Sequence, residues 1–439
     1  MNVLFIEPPY FRLLGEKRIY TPVGLLYLAA AIDRAGHNAF VYNADSDYSN
    51  DGDKILSYYD KYFDSNKIFI FSETKKIIFE EIELIITKCC PDIIGISVKS
   101  ETVPIVIELF KLIKKIDIKI KIILGGPHFY VDNNPKYFLD ADFIIKGEQE
   151  YNIVNIIESV FYDKKCKLNT CVVSLDELPL LDLKYLPQYH YDKISYQTKQ
   201  LISTSRGCPF KCSFCYKSIF HDKARYLSGN NIFHNMEFLF EKYNIRKFYI
   251  VDDTFGVNVN QLSSLANKIS ISGLPLTWSC MSHASILTDE KLKIMKNGGC
   301  TGVHLGVESG SDRLLKLLGK CTDTKQIGLV ASLLHKYEIK MHVFMMVGLP
   351  TETELDIDQS LRLVDKILPY EIAAQVYQPY PNTKLYDILV SNNCEIPINW
   401  PMFSRMSLHG HSFRGDEPKK VNDRIEFFLR FADNYNSNN

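Results

Sequence analysis

Ser205-Arg-Gly-Cys208-Pro-Phe-Lys-Cys212-Ser-Phe-Cys215-Tyr216 continues from Leu201–Ser205, which reads as a strand. The C-x3-C-x2-C spacing therefore places three thiols in one loop at a strand end. Gly207 and Pro209 turn the chain sharply there, so the thiols can converge. Three thiolates around a four-iron cluster leave one iron without a protein ligand. A structural zinc knot with His221 as fourth ligand is the competing reading. Zinc knuckles pair C-x2-C with a second, distant pair, and no such pair is present. The remaining eight cysteines show no ligand spacing with one another and read as small buried hydrophobes.

Downstream of the triad, apolar β-branched runs alternate with helical patterns. Leu201–Ser205, Phe248–Asp252, Leu276–Cys280, Gly302–Val307, Met341–Val347 and Ile372–Gln378 give six strands, each followed by a helix. Six consecutive βα units without reversal predict a curved, barrel-like parallel sheet, a partial (β/α)6 barrel with its chemistry at the strand carboxyl ends. Upstream, Val3–Ile6, Ala39–Tyr42, Ile93–Ser97, Ile120–Leu124 and Phe143–Ile145 are strand candidates, with Gly24–Ala35 and Val103–Ile116 as the clearest helices between them. That alternation predicts a second, Rossmann-like (flavodoxin-like) parallel α/β domain. The expected division is 1–165 for this first domain, 166–197 for a proline-interrupted linker, 198–392 for the barrel and 393–439 for a short C-terminal extension. A terminal helix is expected over Val421–Phe431.

The 439 residues have the composition of an ordinary globular α/β protein, 46% hydrophobic and 23% charged. A formal net charge of -1 gives no global attraction to nucleic acid or to an anionic membrane. No apolar run reaches the ~18 residues of a membrane span, and the start lacks a signal peptide's layout. The expected location is the cytoplasm. Eleven cysteines, an odd number, argue for metal or redox use rather than a disulfide framework.

From residue 198 to about 390 the sequence resembles the radical S-adenosylmethionine (SAM) superfamily. Cys208, Cys212 and Cys215 match its ligands to a [4Fe–4S] cluster, whose open iron chelates SAM. The resemblance implies SAM contacts from Phe214 and Tyr216 beside the third cysteine, and from Asp252 and Asp253 in Val251-Asp252-Asp253-Thr254-Phe255. It implies others from Glu308 and Ser309 in His304-Leu-Gly-Val-Glu308-Ser309-Gly310-Ser311, from Gly348 in Met346-Val-Gly348-Leu-Pro350, and from Tyr380 in Gln378-Pro-Tyr380-Pro-Asn382. Two departures stand out. His283 occupies the place where many relatives carry arginine, and Asn382 replaces a glycine, which asparagine can do because it tolerates left-handed backbone.

The first domain resembles the cobalamin-binding domain found upstream of one radical SAM class. The matching segments contain Glu7, Pro8 and Pro9 after the first strand, Ser97 after the third, Gly125, Gly126 and His128 after the fourth, and Gly147 and Glu148 after the fifth. These are the implied cobalamin contacts. The Asp-x-His-x-x-Gly motif that supplies an axial histidine is missing, so cobalt without a histidine from this chain is expected, His128 being the one substitute. No Gly-x-Gly-x-x-Gly follows a strand, which weighs against a dinucleotide.

Together the resemblances imply an enzyme with three cofactors, a [4Fe–4S] cluster, SAM and cobalamin. The implied reaction is methylation of an unactivated carbon by way of methylcobalamin. Cyclisation or rearrangement with the same cofactors is the alternative, and a non-catalytic cobalamin or iron–sulfur sensor a remote one. The implied partners are a small-molecule substrate, a peptide and a lipid among the possibilities, and a one-electron donor such as flavodoxin or ferredoxin. Trp400, Phe403, Arg405, His409 and His411 form an aromatic and cationic group that either closes over a substrate or packs and faces solvent.

Overall fold

The computed structural model describes the chain apart from residues 17–18, 48–71, 133–137, 167–173, 188–198, 220–222, 395, 397–416 and 439. The fold is α/β throughout, with two compact units. Among the described residues, one comprises 1–47, 72–200 and 238–245, the other 201–237 and 246–438.

In the first unit five strands, β1 (Asn2–Glu7), β2 (Asn38–Asn43), β3 (Ile93–Ser97), β4 (Lys121–Gly125) and β5 (Phe143–Ile144), form one parallel sheet. Its order is β2-β1-β3-β4-β5. This is the flavodoxin-like order, in which the connections diverge to opposite faces between β1 and β3 and open a crevice at the strand carboxyl ends. The central strands are apolar without alternation because helices cover both faces. Val3, Leu4, Ile6, Ile93, Ile94, Ile122 and Leu124 are completely buried.

The second unit holds β6 (Gln200–Ile202), β7 (Ser205–Arg206), β8 (Arg225–Tyr226), β9 (Lys247–Ile250), β10 (Thr277–Ser282), β11 (Cys300–Glu308), β12 (Lys340–Val347) and β13 (Glu371–Val376). Six of them form a sheet in the order β13-β12-β11-β10-β9-β6, with the strands from β9 to β13 parallel. Side chains alternate between its two faces. On β12, Met341, Val343, Met345 and Val347 are buried, while His342, Phe344 and Met346 are only half buried and face the other way. Asn258, Thr288, Asp323, Thr353 and Thr383 cap the helices that follow the strands, each accepting a backbone N–H with its side chain.

One expected strand differs. Leu201–Ser205 is broken after Ile202, and Ser205–Arg206 pairs antiparallel with Arg225–Tyr226. The break lies at Thr204, whose N–H and hydroxyl both donate to the Asp252 carboxylate, at 2.6 and 2.5 Å. With its N–H committed to a side chain in the loop after β9, Thr204 cannot donate to a strand ladder.

Candidate functional site

The cysteine loop starts at β7, turns at Gly207 (φ 85°) and ends in a short helical turn, Tyr216–Ile219. Its middle is pinned by Ser213. The Ser213 N–H and hydroxyl donate to Leu318 O and Leu317 O at 2.9 Å each, and its carbonyl accepts from Leu385 N–H at 2.8 Å. Cys208, Cys212 and Cys215 line one cavity of about 190 Å³, several times the ~30 Å³ share of one water molecule. Burial pushes the Cys212 thiol up to about 12 and raises Cys208 as well, so neither ionises unaided at neutral pH. Cys208 Sγ lies 3.3 Å from Thr254 Oγ1.

Among the described residues no three His, Cys, Asp or Glu side chains are placed to hold a single metal ion. The donor set suits a cluster instead, because each thiolate then binds a different iron. Coordination would deprotonate the thiols outright. His221, the proposed fourth zinc ligand, lies outside the described residues.

The other walls of the cavity come from strand carboxyl ends. β11 contributes His304, Gly306 and Glu308, alternate residues on one face, and β12 contributes Phe344 and Met346. Glu308 sits at a break in the β11–β12 register with φ 66°, a left-handed conformation costly for a non-glycine residue. Its Oε1 lies 3.4 Å from Lys320 Nζ, and both side chains are almost wholly buried. Gly306 makes room for that pair, since a Cβ there would lie 2.5 Å from Glu308 Oε1 and 3.0 Å from Lys320 Nζ. Lys217 pairs with Asp253. Tyr216 and Tyr380 meet with ring centroids 5.1 Å apart, and Phe210, Phe214 and Tyr377 extend the aromatic wall.

Five of the expected SAM contacts thus share the cavity with the cysteines: Phe214, Tyr216, Asp253, Glu308 and Tyr380. Asp252, Ser309 and Gly348 do not line it. Asp252 is 2% exposed and bonded to Thr204. Burial raises its carboxyl to about 6 against the lowering effect of those hydrogen bonds. Ser309 Oγ accepts from Ser311 N–H at 3.1 Å and lies 3.4 Å from Ser360 Oγ, buttressing the turn against the helix Glu354–Ile367. Gly348 N–H donates to the buried Glu352 carboxyl group at 2.8 Å. Asn382 has φ 67°, the left-handed backbone expected of a glycine substitute. Lys217, Thr254 and Lys320 are wall residues that sequence reasoning missed. Lys320 carried no spacing signal, because it is brought to Glu308 only by the turn after the helix Asp312–Leu317.

In the first unit Glu7, Ser97 and Gly125 end β1, β3 and β4 side by side at the carboxyl edge, Ser97 in register with Gly125. Pro8 and Pro9 are buried behind Glu7. The Glu7 carboxylate pairs with Lys99 Nζ at 2.6 Å. Burial opposes the Lys99 charge, but Glu7, Glu101 and Asp45 more than compensate and raise its pKa. Nothing lies within 4 Å of where a Gly125 Cβ would stand, so the backbone there is open to a flat ligand. Gly126 has φ 108°, and a Cβ would sit 2.6 Å from Val98 O, so only glycine fits. Gly147 and Glu148 follow β5 beside Tyr130, on the turn after His128. The His128 ring is 2% exposed, with Nδ1 3.1 Å from Ser100 Oγ and Phe129 and Phe138 edge-on to it. Burial lowers its pKa to about 4. Small residues and open backbone fit a corrin edge, while the histidine is turned into the unit's own packing. Trp400, Phe403, Arg405, His409 and His411 lie outside the described residues.

Comparison with known proteins settles what the two sheets are. Residues 202–364 match the radical SAM superfamily, and residues 17–157 match the B12 binding domain. This is a radical SAM protein with a B12-binding domain. The radical SAM domain implies a [4Fe–4S] cluster and SAM, and the other domain implies cobalamin. An uncharacterized methyltransferase of Pyrococcus horikoshii is 25% identical over 80% of this chain and 82% of its own length. An anaerobic magnesium-protoporphyrin IX monomethyl ester cyclase of Rubrivivax gelatinosus is 22% identical over 89% of the chain and 70% of its own. Among solved structures, the radical SAM methyltransferase TsrM of Kitasatospora setae superposes with a TM-score of 0.69 at 14% identity, covering 98% of this chain and 89% of that one. The cobalamin-dependent radical SAM enzyme OxsB, with aqua-cobalamin and SAM bound, gives 0.69 at 15% identity, covering 98% and 66%. No helix among the described residues of this radical SAM protein is long and apolar enough to cross a membrane.

Proposed function

We propose that this protein is a cobalamin-dependent radical SAM C-methyltransferase acting on an unactivated carbon of a small molecule. The carrying observation is one cavity, at the carboxyl ends of parallel strands, that joins three thiols, a buried Glu308–Lys320 pair and an aromatic wall. Cys208, Cys212 and Cys215 hold three irons in this reading. Glu308 and Lys320 take the amino and carboxylate groups of SAM, and Phe214, Tyr216 and Tyr380 flank its adenine. Asp252, Ser309 and Gly348 act behind the wall, fixing the loops that carry it. The carboxyl edge of the first unit, from Glu7–Pro9 through Ser97, Lys99, Gly125 and Gly126 to Gly147 and Glu148, receives cobalamin. When bound, the cluster and SAM supply a 5′-deoxyadenosyl radical, and cobalamin carries a methyl group. The chain's own part is to bind, orient and exclude water from these groups.

The likeness to the protoporphyrin ester cyclase favours a second reading, ring formation with the same cofactors. Turnover with SAM deuterated at its methyl group separates the two. A labelled product supports methyl transfer, whereas an unlabelled product with stoichiometric 5′-deoxyadenosine supports cyclisation. A flavodoxin- or ferredoxin-type donor supplies the electrons, and the cytoplasm is the compartment that suits both the donor and the free thiols of the cavity. Replacing Cys208, Cys212 and Cys215 together by alanine is expected to abolish the visible iron–sulfur absorbance. Its survival would refute the cluster assignment.

A further inference from the structure

We infer that the Thr254 hydroxyl donates a hydrogen bond to the Cys208 sulfur once that sulfur binds iron, and so sets how readily the cluster accepts an electron. The inference rests on the cluster reading of the three thiols and makes no use of SAM.

Thr254 is held in place from both sides. Two residues before it, the Asp252 carboxylate accepts from the Thr204 N–H and hydroxyl, in the segment that leads into the cysteine loop. One residue after it, Phe255 N–H donates to Met281 O on β10 at 2.8 Å. The loop after β9 is therefore tied both to the approach to Cys208 and to the next strand. Thr254 is 5% exposed and lines the cavity, with Oγ1 3.3 Å from Cys208 Sγ and 2.7 Å from Asp253 O. The buried Asp252, which does not line the cavity, thus keeps Thr254 within reach of the sulfur.

A threonine hydroxyl has one hydrogen to give and two lone pairs to receive with. While Cys208 is a thiol, its own hydrogen can point to Oγ1 and the hydroxyl hydrogen to Asp253 O. Coordination removes the thiol hydrogen and makes the sulfur an anionic acceptor. The single hydroxyl hydrogen then has two acceptors in reach, a neutral carbonyl and a charged sulfur. Hydrogen bonds to ionised partners are roughly twice as strong as neutral ones, so the hydroxyl turns to the sulfur. The same bias is present in the free thiol. Burial raises the Cys208 pKa, and hydrogen bonds from Thr254 and from the Phe210 backbone oppose that rise. Reduction adds one electron from an external donor to the cluster; no bond breaks, and the hydroxyl proton stays on its oxygen. The added negative charge is shared by the sulfurs, so a donor to one of them favours the reduced form and raises the potential.

The test is a redox titration followed by electron paramagnetic resonance, on the anaerobically reconstituted full-length protein without SAM. Thr254→Val keeps the shape of the side chain and loses the hydroxyl, whereas Thr254→Ser keeps the hydroxyl. At a fixed potential Thr254→Val is expected to lower the reduced-to-oxidised ratio about tenfold, about 59 mV for a one-electron couple, and Thr254→Ser to stay within about twofold of the unmutated protein. Should Thr254→Val fail to hold the cluster, Thr254→Ala supplies the same comparison. In deuterated buffer, electron–nuclear double resonance is expected to show an exchangeable deuteron beside the reduced cluster in the unmutated and Thr254→Ser proteins, and to lose it in Thr254→Val. An unshifted potential in Thr254→Val overturns the inference. Equal shifts in the valine and serine variants do so too, since they would show a merely structural threonine. Absence of the deuteron from the unmutated protein overturns it without any variant. If the unmutated protein forms no iron–sulfur cluster at all, the cluster reading itself falls, a result distinct from an unshifted potential.

Discussion

Glu308 concentrates three kinds of cost at one residue. Its backbone is left-handed, its carboxylate is buried, and its partner Lys320 is a buried ammonium. Such strain persists only where surrounding structure over-determines it, here the space left by Gly306. Lys320→Met is expected to lose SAM binding and also ~3–5 kcal/mol of stability, because it leaves an uncompensated buried carboxylate. Lys320→Met combined with Glu308→Gln should recover most of that stability in urea unfolding without recovering binding. Glu352 offers a separate test. Burial raises its carboxyl to about 8, against the hydrogen bond from Gly348 N–H and the nearby Arg424. Between about pH 4.5 and 8 the folded chain therefore keeps a proton that the unfolded chain has released. Stability falls as pH rises through that window. Glu352→Gln preserves an acceptor for Gly348 and is expected to flatten this slope, measured as urea midpoints at about pH 5 and about pH 8. An unchanged slope would mean that Glu352 is ionised in the folded protein.

At the scale of elements, the open sheet of the second unit ends at β13, and the helix Pro418–Asn438 covers that edge. Asn436 acts as a side-chain substitute for a neighbouring strand. Its Oδ1 accepts from Ile372 N–H and its Nδ2 donates to Ile372 O, both at 2.9 Å, while Tyr435 Oη donates to Pro369 O at 2.8 Å. Unpaired edges invite pairing with other chains. Asn436→Ala is expected to cost about 1–2 kcal/mol in urea unfolding and to increase aggregation during refolding, followed by light scattering. The helix was legible from the apolar spacing of Val421–Phe431, but its task was not, since nothing local in Asn436 names the strand it clips. The same limit explains Asp252, a residue at a strand end whose motif resembles a ligand contact and whose carboxylate is committed to Thr204 forty-eight positions earlier. The expected strand Gly302–Val307 stops one residue short of Glu308, and it is the observed strand Cys300–Glu308 that sets His304, Gly306 and Glu308 along one wall. Only the packed fold brings Lys320 to them.

At the scale of the whole molecule, two parallel sheets of different topology serve two kinds of ligand. The first unit reverses its winding between β1 and β3 and opens a crevice there, with Glu7 and Lys99 at its mouth. The second winds in one direction from β6 to β13 and gathers its chemistry at the strand ends. Each unit has its own buried core, and all the wall residues of the cysteine cavity belong to the second. Loading of the two cofactor sites is therefore expected to be separable. The variant with Cys208, Cys212 and Cys215 replaced by alanine should retain hydroxocobalamin through gel filtration, read from the corrin absorbance, although it forms no cluster. In the converse variant, Gly126→Val forces a side chain into the 2.6 Å gap beside Val98 O and should lose corrin while the iron–sulfur absorbance survives. Loss of both signals in either variant would mean that the units fold or load as one, and the assignment of one cofactor system to each sheet would have to be abandoned.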